Sequence, residues 1–562
     1  MTAPAPDEVP RKPWRLVLVL LGTLLALWLT MATRTANHDN VFIPSGPKQA
    51  IHTYFLDPDC YSRMTRVAAV MVHPGLVLKD HDFENAPLGT HPHTTVLMDY
   101  LIAIPGWLIG GETAGAWISP VLALLGTIFL ILWAWASGLE IGGAFWLLAA
   151  YILSPMLALA NVLGRPDHQA LLTVFLLIAL AAELTLLAKP DRRWAVIAGA
   201  AWGLALWTSL YEPVFLITAS IILAGALGWK TWNWKARAWE AGVLAGIVVV
   251  ALIIERGVRI NVPGAGVDTA MFKNWAGTIS EMSSPGVGLL GLMPGWMGWA
   301  ALAAPGLLGL TWWKTRDMRA LYIGVMFFLT AILSAWQLRW APYFCLVYAL
   351  SMPWQVAWLQ GNMRWALHVA LGLFLVFPLA GLWDRTVFPE GDDKTRVDET
   401  KADAVLCRYV GEVMKIAPPA RMPNAKTLLA PWWLTPSLVY WSGVPGVAGS
   451  SHQALPGTVA SARFYAESNW ETAARILKER QVRWVVAYEP QRVLTVSKTI
   501  LGKEMPQYGE GRLPLGKTLY ETPGEAPNYL RLTTRNQFFV LYEVRTEVID
   551  RWLEETASPA HP

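Results

Sequence analysis

Long apolar runs separated by short polar gaps make up the first two thirds of the chain. Each run is close to the roughly 20 residues that an α-helix needs to cross a bilayer, and together they predict about 11–13 membrane-spanning helices. The eleven runs that we assign cover residues 16–32, 116–136, 139–160, 170–188, 194–210, 213–229, 238–254, 297–313, 320–336, 341–359 and 364–383. This pattern is typical of a polytopic α-helical membrane protein.

Positive charges predict the orientation of these spans. Arg11, Lys12 and Arg15 precede the first run, which favours a cytoplasmic tail over residues 1–15. Alternating sides from there places the later basic gaps on the cytoplasmic side as well, as the positive-inside rule requires. These gaps are residues 189–193, 230–237 and 314–319 and the turn at Arg364. The first run also resembles a signal peptide, but many spans follow it, so we interpret it as a signal anchor.

The stretch from residue 94 to residue 110 is apolar but is not assigned as a span. It carries Asp99 and Pro105, and counting it would place every later basic gap outside. We therefore predict a helix that lies at the membrane interface within an outer loop.

The chain divides into three predicted parts after this assignment. A transmembrane domain covers residues 16–383 and carries two large outer loops, at 33–112 and 255–294. Charged residues become common after residue 384, and residues 384–562 are long enough for a soluble domain with its own core. Alternating patterns predict strands at 482–488 and 538–542 and a helix at 471–480, so this domain is expected to be mixed α/β and to lie outside. Residues 1–10 are predicted to be a disordered tail.

Composition argues against nucleic acid as a partner and against a disulfide framework. The chain has 54% hydrophobic residues and a net charge of only +4, so it has no signal for binding nucleic acid and membrane lipid is its expected surrounding. Three cysteines form no disulfide framework and no metal-ligand spacing. The predicted topology allows Cys60 and Cys407 to lie on the same side and form a disulfide, but buried or idle thiols are preferred.

Polar residues that the topology places on the outer side carry the candidate chemistry. Carboxylates at a bilayer edge are costly unless they have a partner, so they are functional candidates. Oxygen-rich ligand sets suit Mg²⁺ or Mn²⁺, and an arginine at the end of a span is suited to a phosphate. The simpler alternatives are helix caps and snorkelling side chains, and Glu212, before Pro213, is interpreted as such a helix start. The predicted outer group is Asp57, Asp59, Asp167, His168, Glu281 and Arg339.

Several short motifs resemble those of oligosaccharyltransferase catalytic subunits, in the same order along the chain. Asp57-Pro58-Asp59-Cys60-Tyr61-Ser62-Arg63 resembles the Asp-Pro-x-x-x-x-Arg signature of the first outer loop, and residues 87–90 resemble a Pro-Leu-Gly stretch of that loop. Residues 164–169 fall where the family has Gly-x-x-Asp-x-Glu. Residues 278–281 are similar to the family's Thr-Ile-x-Glu motif, and residues 430–433 begin like its Trp-Trp-Asp-Tyr-Gly motif.

The resemblance implies a membrane glycosyltransferase of the GT-C type. Such an enzyme transfers a glycan from a polyprenyl-linked phosphate or pyrophosphate donor to an acceptor on the outer face. Carried over by position, the catalytic residues are Asp57, Asp167 and Glu281, and the ligands of Mg²⁺ or Mn²⁺ are Asp57, Asp59, Asp167, Gln169 and Glu281. The implied substrate-binding residues are Arg339, for the donor phosphate, and His168, Tyr343, Trp432 and Trp433.

Two departures from the family pattern bear on this prediction. Gln169 stands where the family has an acid, which removes one anionic metal ligand. Leu434 stands where the family has the Asp that contacts the hydroxyl of an Asn-x-Ser/Thr acceptor. Leucine accepts no hydrogen bond, so the acceptor, whether protein or glycan, is left open.

Three functions compete at this point. The preferred one is an oligosaccharyltransferase-like, metal-dependent enzyme of protein glycosylation, in a bacterial inner membrane with its C-terminal domain in the periplasm. A GT-C enzyme that uses a polyprenyl-monophosphate sugar to modify a lipid or glycan is the first alternative. A non-catalytic relative or a transporter is the second, and a transporter is disfavoured because the polar residues collect in outer loops rather than in mid-span. The sugar, the lipid carrier and the oligomeric state are not predicted.

Overall fold

The computed structural model describes residues 13–44, 51–228, 233–258, 269–357, 364–418, 425–506 and 513–557. The predicted tail at residues 1–10 lies outside these residues. The first part of the chain is helical, apart from one small antiparallel pair of strands, β1 (Phe42–Pro44) and β2 (Ile51–Thr53).

The helices of this first part follow one another with short connections. In chain order they are α1 (Pro13–Arg34), α2 (His38–Val41), α3 (Pro58–Val72), α4 (Leu97–Ile109), α5 (Gly111–Ala136), α6 (Ile141–Leu153), α7 (Pro155–Ala160), α8 (His168–Ala188), α9 (Arg192–Thr208), α10 (Tyr211–Gly228), α11 (Trp234–Ile254), α12 (Thr269–Ala276), α13 (Leu289–Met297), α14 (Ala300–Thr315), α15 (Met318–Trp336), α16 (Ala341–Val356) and α17 (Arg364–Val387).

Each of the eleven predicted spans overlaps one or two of these helices, although some of the predicted ends extend beyond them. Among the described residues, six helices are long and apolar enough to cross a membrane, and the bent pair formed by residues 286–297 and 300–315 makes a seventh if it is one span. Others are shorter than their apolar runs. The run at 139–160 breaks into α6 and α7, because Ser154 caps the second helix and Pro155 starts it. The chain is thus an integral, polytopic α-helical membrane protein.

Two helices at the centre of the bundle contact other helices on nearly all sides. The span of α8 has 78% of its residues buried, and α16 is buried along almost its whole length. The core around them includes Trp202, Tyr322 and Phe344. Outer helices such as α11 and α17 instead expose their apolar side chains, with only 11% of their spans buried. The first residues of α8 and α16 are therefore held by protein rather than by lipid.

The helix predicted at residues 94–110 is present as α4, and it packs against α3 and α5. Asp99, which argued against a span, is fully buried and forms ion pairs with Arg63 at 2.7 Å and Arg66 at 2.6 Å. One carboxylate thus joins α4 to two turns of α3. Because α3 begins directly after Asp57, this buried charge network fixes the helix that presents the first acidic motif.

The C-terminal part is a mixed α/β unit around one four-stranded sheet. Its strand order is β3-β4-β6-β5, with β3 parallel to β4 and the other pairs antiparallel. The predicted strands correspond to β4 and β6, and the predicted helix corresponds to α21. The elements are α18 (Gly391–Ile416), β3 (Thr427–Leu429), α19 (Thr435–Ser442), α20 (Leu455–Ala466), α21 (Trp470–Glu479), β4 (Val482–Ala487), α22 (Pro490–Leu501), α23 (Leu515–Glu521), β5 (Leu530–Arg535), β6 (Val540–Val544) and α24 (Thr546–Ala557).

Backbone and side-chain contacts attach this unit to the loop before α4. The amide of Ala86 donates to the carbonyl of Gly446 at 2.9 Å, and Ser451 donates to the Glu84 carboxylate at 2.8 Å. Aromatic rings continue the contact, since Tyr440 lies 5.8 Å from Tyr61 of α3. The three cysteines are free and buried, as expected.

Substituting Asp99→Asn removes the charge that Arg63 and Arg66 share. Both guanidinium groups stay buried without a carboxylate, so we expect a loss of about 3–5 kcal/mol in the free energy of unfolding. Asp393→Asn is a matched control, because its pair with Arg396 is solvent-exposed and is expected to contribute about 0–1 kcal/mol. Thermal unfolding midpoints in detergent would measure both. Equal midpoints for the two variants would contradict the structural role of Asp99.

Candidate active site

The first acidic motif lies at the N-terminus of α3. Asp57 is the N-cap residue, and its carboxylate accepts a hydrogen bond from the amide of Cys60 at 2.9 Å. Proline at the first helical position suits this start, because its missing N–H would have no partner there. Asp57 therefore has the helix-cap role that the sequence offers as the simpler alternative, and its part in an active site stays a prediction.

Arg165 joins the acidic residues that the sequence placed far apart. Its Nε lies 3.4 Å from Asp57 Oδ2, and its Nη2 lies 3.8 Å from Asp167 Oδ2 and 3.1 Å from Glu281 Oε1. We refer to Asp57, Asp59, Asp167 and Glu281 as the acidic cluster. Three of its four members contact this one guanidinium, whose side chain is only 11% exposed.

The second acidic motif supplies two further contacts. Asp167 is the N-cap residue of α8 but makes no side-chain capping bond, so its carboxylate is available to the cluster. His168 Nδ1 lies 2.6 Å from Asp167 Oδ1. Gln169 donates from Nε2 to Glu281 Oε2 at 2.9 Å and accepts from Arg165 at 3.3 Å. The structure thus brings Asp167, Gln169 and Glu281 together, as their assignment to one site requires.

Within the described residues, Asp59 is the member of the cluster that forms no ion pair. Its side chain is exposed to solvent, but partial desolvation by the surrounding protein and the nearby charges of Asp57 and Asp167 raise the pKa of its carboxyl. Ser450, from the C-terminal unit, hydrogen-bonds Asp59 and opposes this shift. Ser450 also lies 3.1 Å from Ser62 of α3, so the C-terminal unit reaches the cluster.

A second ion pair lies beside the acidic cluster. Arg339 Nη2 is 2.7 Å from Glu212 Oε1, and its guanidinium lies over the ring of Tyr211 at 5.2 Å. Arg339 Nη1 also donates to the sulfur of Met282 at 3.9 Å, directly next to Glu281. The two arginines are therefore connected through the short 3-10 turn Ser280–Met282.

Four helices begin at this place. Asp57 precedes α3, Asp167 precedes α8, Glu212 is the second residue of α10, and Arg339 lies just before α16. A helix N-terminus carries unsatisfied N–H groups and a partial positive charge, which favours carboxylates and phosphates. The N-termini of these helices favour negative charge at this place.

The predicted aromatic residues do not all lie beside the cluster. Tyr343 is buried in α16, with its ring 6.0 Å from that of Trp340. Trp432 packs 6.1 Å from Trp275 of α12, and Trp433 lies under the guanidinium of Arg492 at 5.0 Å. Tyr343 is close enough to interact electrostatically with Arg339, Asp167 and Glu281, whereas Trp432 and Trp433 pack against other aromatic rings and an arginine. The role of all three rings in binding substrate stays a prediction.

Leu434 faces the interior rather than a binding surface. It is 8% exposed, belongs to the core of the C-terminal unit and is the N-cap residue of α19 without a side-chain cap. The residue that the family motif uses on its acceptor is here part of the packing beneath α19.

Three groups in the site were missed or undervalued by sequence reasoning. Arg165 lies within the motif at residues 164–169, but the sequence analysis assigns it no function. A cation two residues before Asp167 is nevertheless a sequence feature that indicates an ion pair at this place. Glu212, interpreted as a helix start, is the buried partner of Arg339. The rings of His93 and His452 stack with centroids 4.8 Å apart, and no sequence pattern links these two residues.

Carboxylate oxygens are ligands that Mg²⁺ and Mn²⁺ prefer, but the carboxylates of the cluster are not arranged around a common point. Within the described residues, no three His, Cys, Asp or Glu side chains stand together so that they could hold a metal ion. Arg165 contacts three of the five predicted ligand residues by ion pairs and a fourth, Gln169, by a hydrogen bond. The predicted metal ligands thus lie in one place, without forming a ready metal site.

Comparisons with known proteins agree with the resemblance that the motifs show. No family model matches the chain. A curated relative, dolichyl-phosphooligosaccharide-protein glycotransferase 1 of Archaeoglobus fulgidus, is 33% identical over 193 residues. The aligned part covers 33% of this chain and only 29% of that relative.

Solved structures of an oligosaccharyltransferase from Archaeoglobus fulgidus match most of the chain. The one in complex with an inhibitory peptide and a dolichol-phosphate has a TM-score of 0.64 and 13% identity, over 97% of this chain and 81% of that one. A second, tethered to an acceptor peptide with an NVT sequon, has a TM-score of 0.60 and 14% identity, over 93% and 79%. A third, in complex with zinc and sulfate, has a TM-score of 0.58 and 14% identity, over 92% and 72%. The predicted resemblance is confirmed, and the chain has the fold of these GT-C membrane glycosyltransferases.

Proposed function

We propose that the chain is a membrane glycosyltransferase that moves a glycan from a polyprenyl-linked phosphate or pyrophosphate donor to an acceptor on the outer membrane face. The observation that carries the proposal is the meeting of the acidic cluster with Arg339 where four helices begin. The fold shared with the archaeal oligosaccharyltransferase supports it, and so does the order of the motifs.

Arg339 acts on the phosphate of the donor, and the acidic cluster acts on the acceptor. The acceptor attacks the anomeric carbon of the donor glycan, the bond from that carbon to the phosphate oxygen breaks, and the phosphate leaves on its lipid. Arg339 and the helix N-termini stabilise the negative charge on the departing phosphate. Glu281 orients the acceptor, and a carboxylate of the acidic cluster takes the proton that the acceptor loses.

A divalent ion enters this proposal in a restricted form. The carboxylate oxygens of Asp57, Asp59, Asp167 and Glu281 are ligands that Mg²⁺ or Mn²⁺ prefers, and a related structure contains zinc and sulfate. Since Arg165 lies among these carboxylates, an ion has to displace it in order to bind. No step of the reaction above depends on the ion.

We propose the predicted orientation together with the function. Lys189 and Arg319 lie at the opposite ends of α8 and α15 from the acidic cluster and line one cavity of about 190 Å³. Basic residues at that end support a cytoplasmic side there and an outer side at the site. A bacterial inner membrane, with residues 384–562 forming a periplasmic domain, completes this proposal.

A second acceptor class is favoured by one observation. Leu434 is buried, so it offers no hydrogen bond to the hydroxyl of an Asn-x-Ser/Thr peptide. A lipid or glycan acceptor, with a polyprenyl-monophosphate sugar as donor, is therefore the second candidate function. It uses the same acidic cluster and the same arginine.

Neutralising the acidic cluster is expected to abolish transfer. Asp57→Asn and Asp167→Asn should each lower the rate by about 100-fold or more, because a charge that faces the reacting groups is lost. Asparagine also caps helices, so the start of α3 is preserved. The measurement is transfer of labelled glycan from lipid-linked donor in membranes, with Asp39→Asn, an exposed residue, as control. Wild-type rates in both cluster variants would refute the proposed site.

Removing the phosphate-binding cation is expected to weaken donor binding. The double variant Arg339→Gln/Glu212→Gln avoids leaving a buried charge unpaired, and we expect its KM for the lipid-linked donor to rise about 100-fold. Glu212→Gln alone keeps the cation and loses only its buried partner, so its KM for the donor should rise far less than that of the double variant. If the two variants show the same KM, Arg339 does not hold the donor phosphate.

Acceptor peptides separate the two acceptor classes. Because the side chain of Leu434 cannot accept a hydrogen bond, Asn-x-Thr and Asn-x-Val peptides should be glycosylated at rates within about threefold, whereas a site that binds the hydroxyl discriminates far more strongly. A strong preference for Asn-x-Thr would contradict the assignment of Leu434. Transfer to lipid or glycan in the absence of any peptide product would favour the second candidate function.

A further inference from the structure

Arg165 is positioned by contacts that do not involve the acidic cluster. Its Nη1 donates to the carbonyl of Leu159 at 3.2 Å, and its own carbonyl accepts a hydrogen bond from Ser119. The amide of Asp167 donates to the same carbonyl at 2.7 Å, which closes a tight turn around Pro166. The guanidinium therefore points into the cluster because its backbone and one of its nitrogens are fixed independently.

The replacement of the family acid by Gln169 completes this arrangement. The amide donates to Glu281 at 2.9 Å through its nitrogen and accepts from Arg165 at 3.3 Å through its oxygen. An acid at this position would accept from Arg165 but would repel Glu281. The triangle of Arg165, Gln169 and Glu281 thus needs an amide, which connects the lost acid with the presence of the arginine.

The guanidinium takes the place that a divalent ion would need. Mg²⁺ requires oxygen ligands at about 2.0–2.1 Å, and the oxygens nearest to it here are also those that face the guanidinium. Both groups compensate the same negative charge and repel each other. Arg165 and a divalent ion therefore compete for the carboxylates of the cluster.

We propose that Arg165 is the resident counter-ion of the acidic cluster and competes directly with divalent metal ions for its carboxylates. The arginine keeps the cluster compensated when no ion is bound and lowers the affinity for metal. This deepens the proposed function, on which it rests only in taking the acidic cluster as the site of that activity. It assigns to Arg165 a role in controlling metal occupancy.

Binding of Mn²⁺ to the purified full chain in detergent tests the competition without any measurement of transfer. Electron paramagnetic resonance titration should give at least about tenfold tighter Mn²⁺ binding for Arg165→Gln than for the wild type, because the competing charge is gone. Mn²⁺ should also raise the unfolding midpoint of this variant more than that of the wild type. Arg165→Met, which keeps the apolar stem, serves if the glutamine variant fails to fold.

Two controls locate the effect. Arg192→Gln removes an arginine that stacks on Trp239 away from the cluster, and its Mn²⁺ affinity should equal that of the wild type. Adding Asp57→Asn and Asp167→Asn to Arg165→Gln should abolish the gained affinity. Equal Mn²⁺ affinity in wild type and the Arg165 variants overturns the proposal, and so does a gain that survives loss of the two carboxylates. A chain that binds Mn²⁺ as expected but transfers no glycan contradicts only the proposed function.

Discussion

Negative charge gathered at the edge of an apolar bundle has to be compensated, and the pairing of Arg165 with the acidic cluster provides this compensation. Asp57, Asp167 and Glu281 come from three separate segments, and one guanidinium contacts all of them. Without it, the three carboxylates would repel one another without a compensating charge. The geometry of the site is thus a consequence of charge balance as much as of packing.

The same solution recurs at two other places around the site. Asp99 holds Arg63 and Arg66 where α3 meets α4, and Glu212 holds Arg339 where α10 meets the turn before α16. In each case a buried carboxylate joins two helices or a helix and a turn. Buried pairs of this kind contribute little net stability over an apolar contact, but breaking one is costly, so they fix one relative position of the segments. The side chains that face the substrate are thereby held in fixed positions.

The sequence predicted the helices well and the contacts between charges poorly, for physical reasons. Apolar runs of bilayer length leave few alternatives to a helix, so each of the eleven predicted spans overlaps a helix. Asp57 and Asp167 were found because a carboxylate at a membrane edge is unusual. Arg165 was not, because its role depends on residues more than 100 positions away along the chain, as in its 3.1 Å contact with Glu281. Leu434, recognised from the sequence as a departure from the family motif, is buried, and the motif alone does not predict that burial.

The nearly complete burial of α8 and α16 has a consequence for the membrane around the protein. Bilayers of different thickness act on a protein by tilting the helices that touch lipid. Here α8, which follows Asp167, and α16, which follows Arg339, are surrounded by other helices. Helices such as α11 and α17 make the contact with lipid instead. Distances within the site are therefore insulated from variation in lipid composition, and a change of membrane should alter access to the site before it alters the site itself.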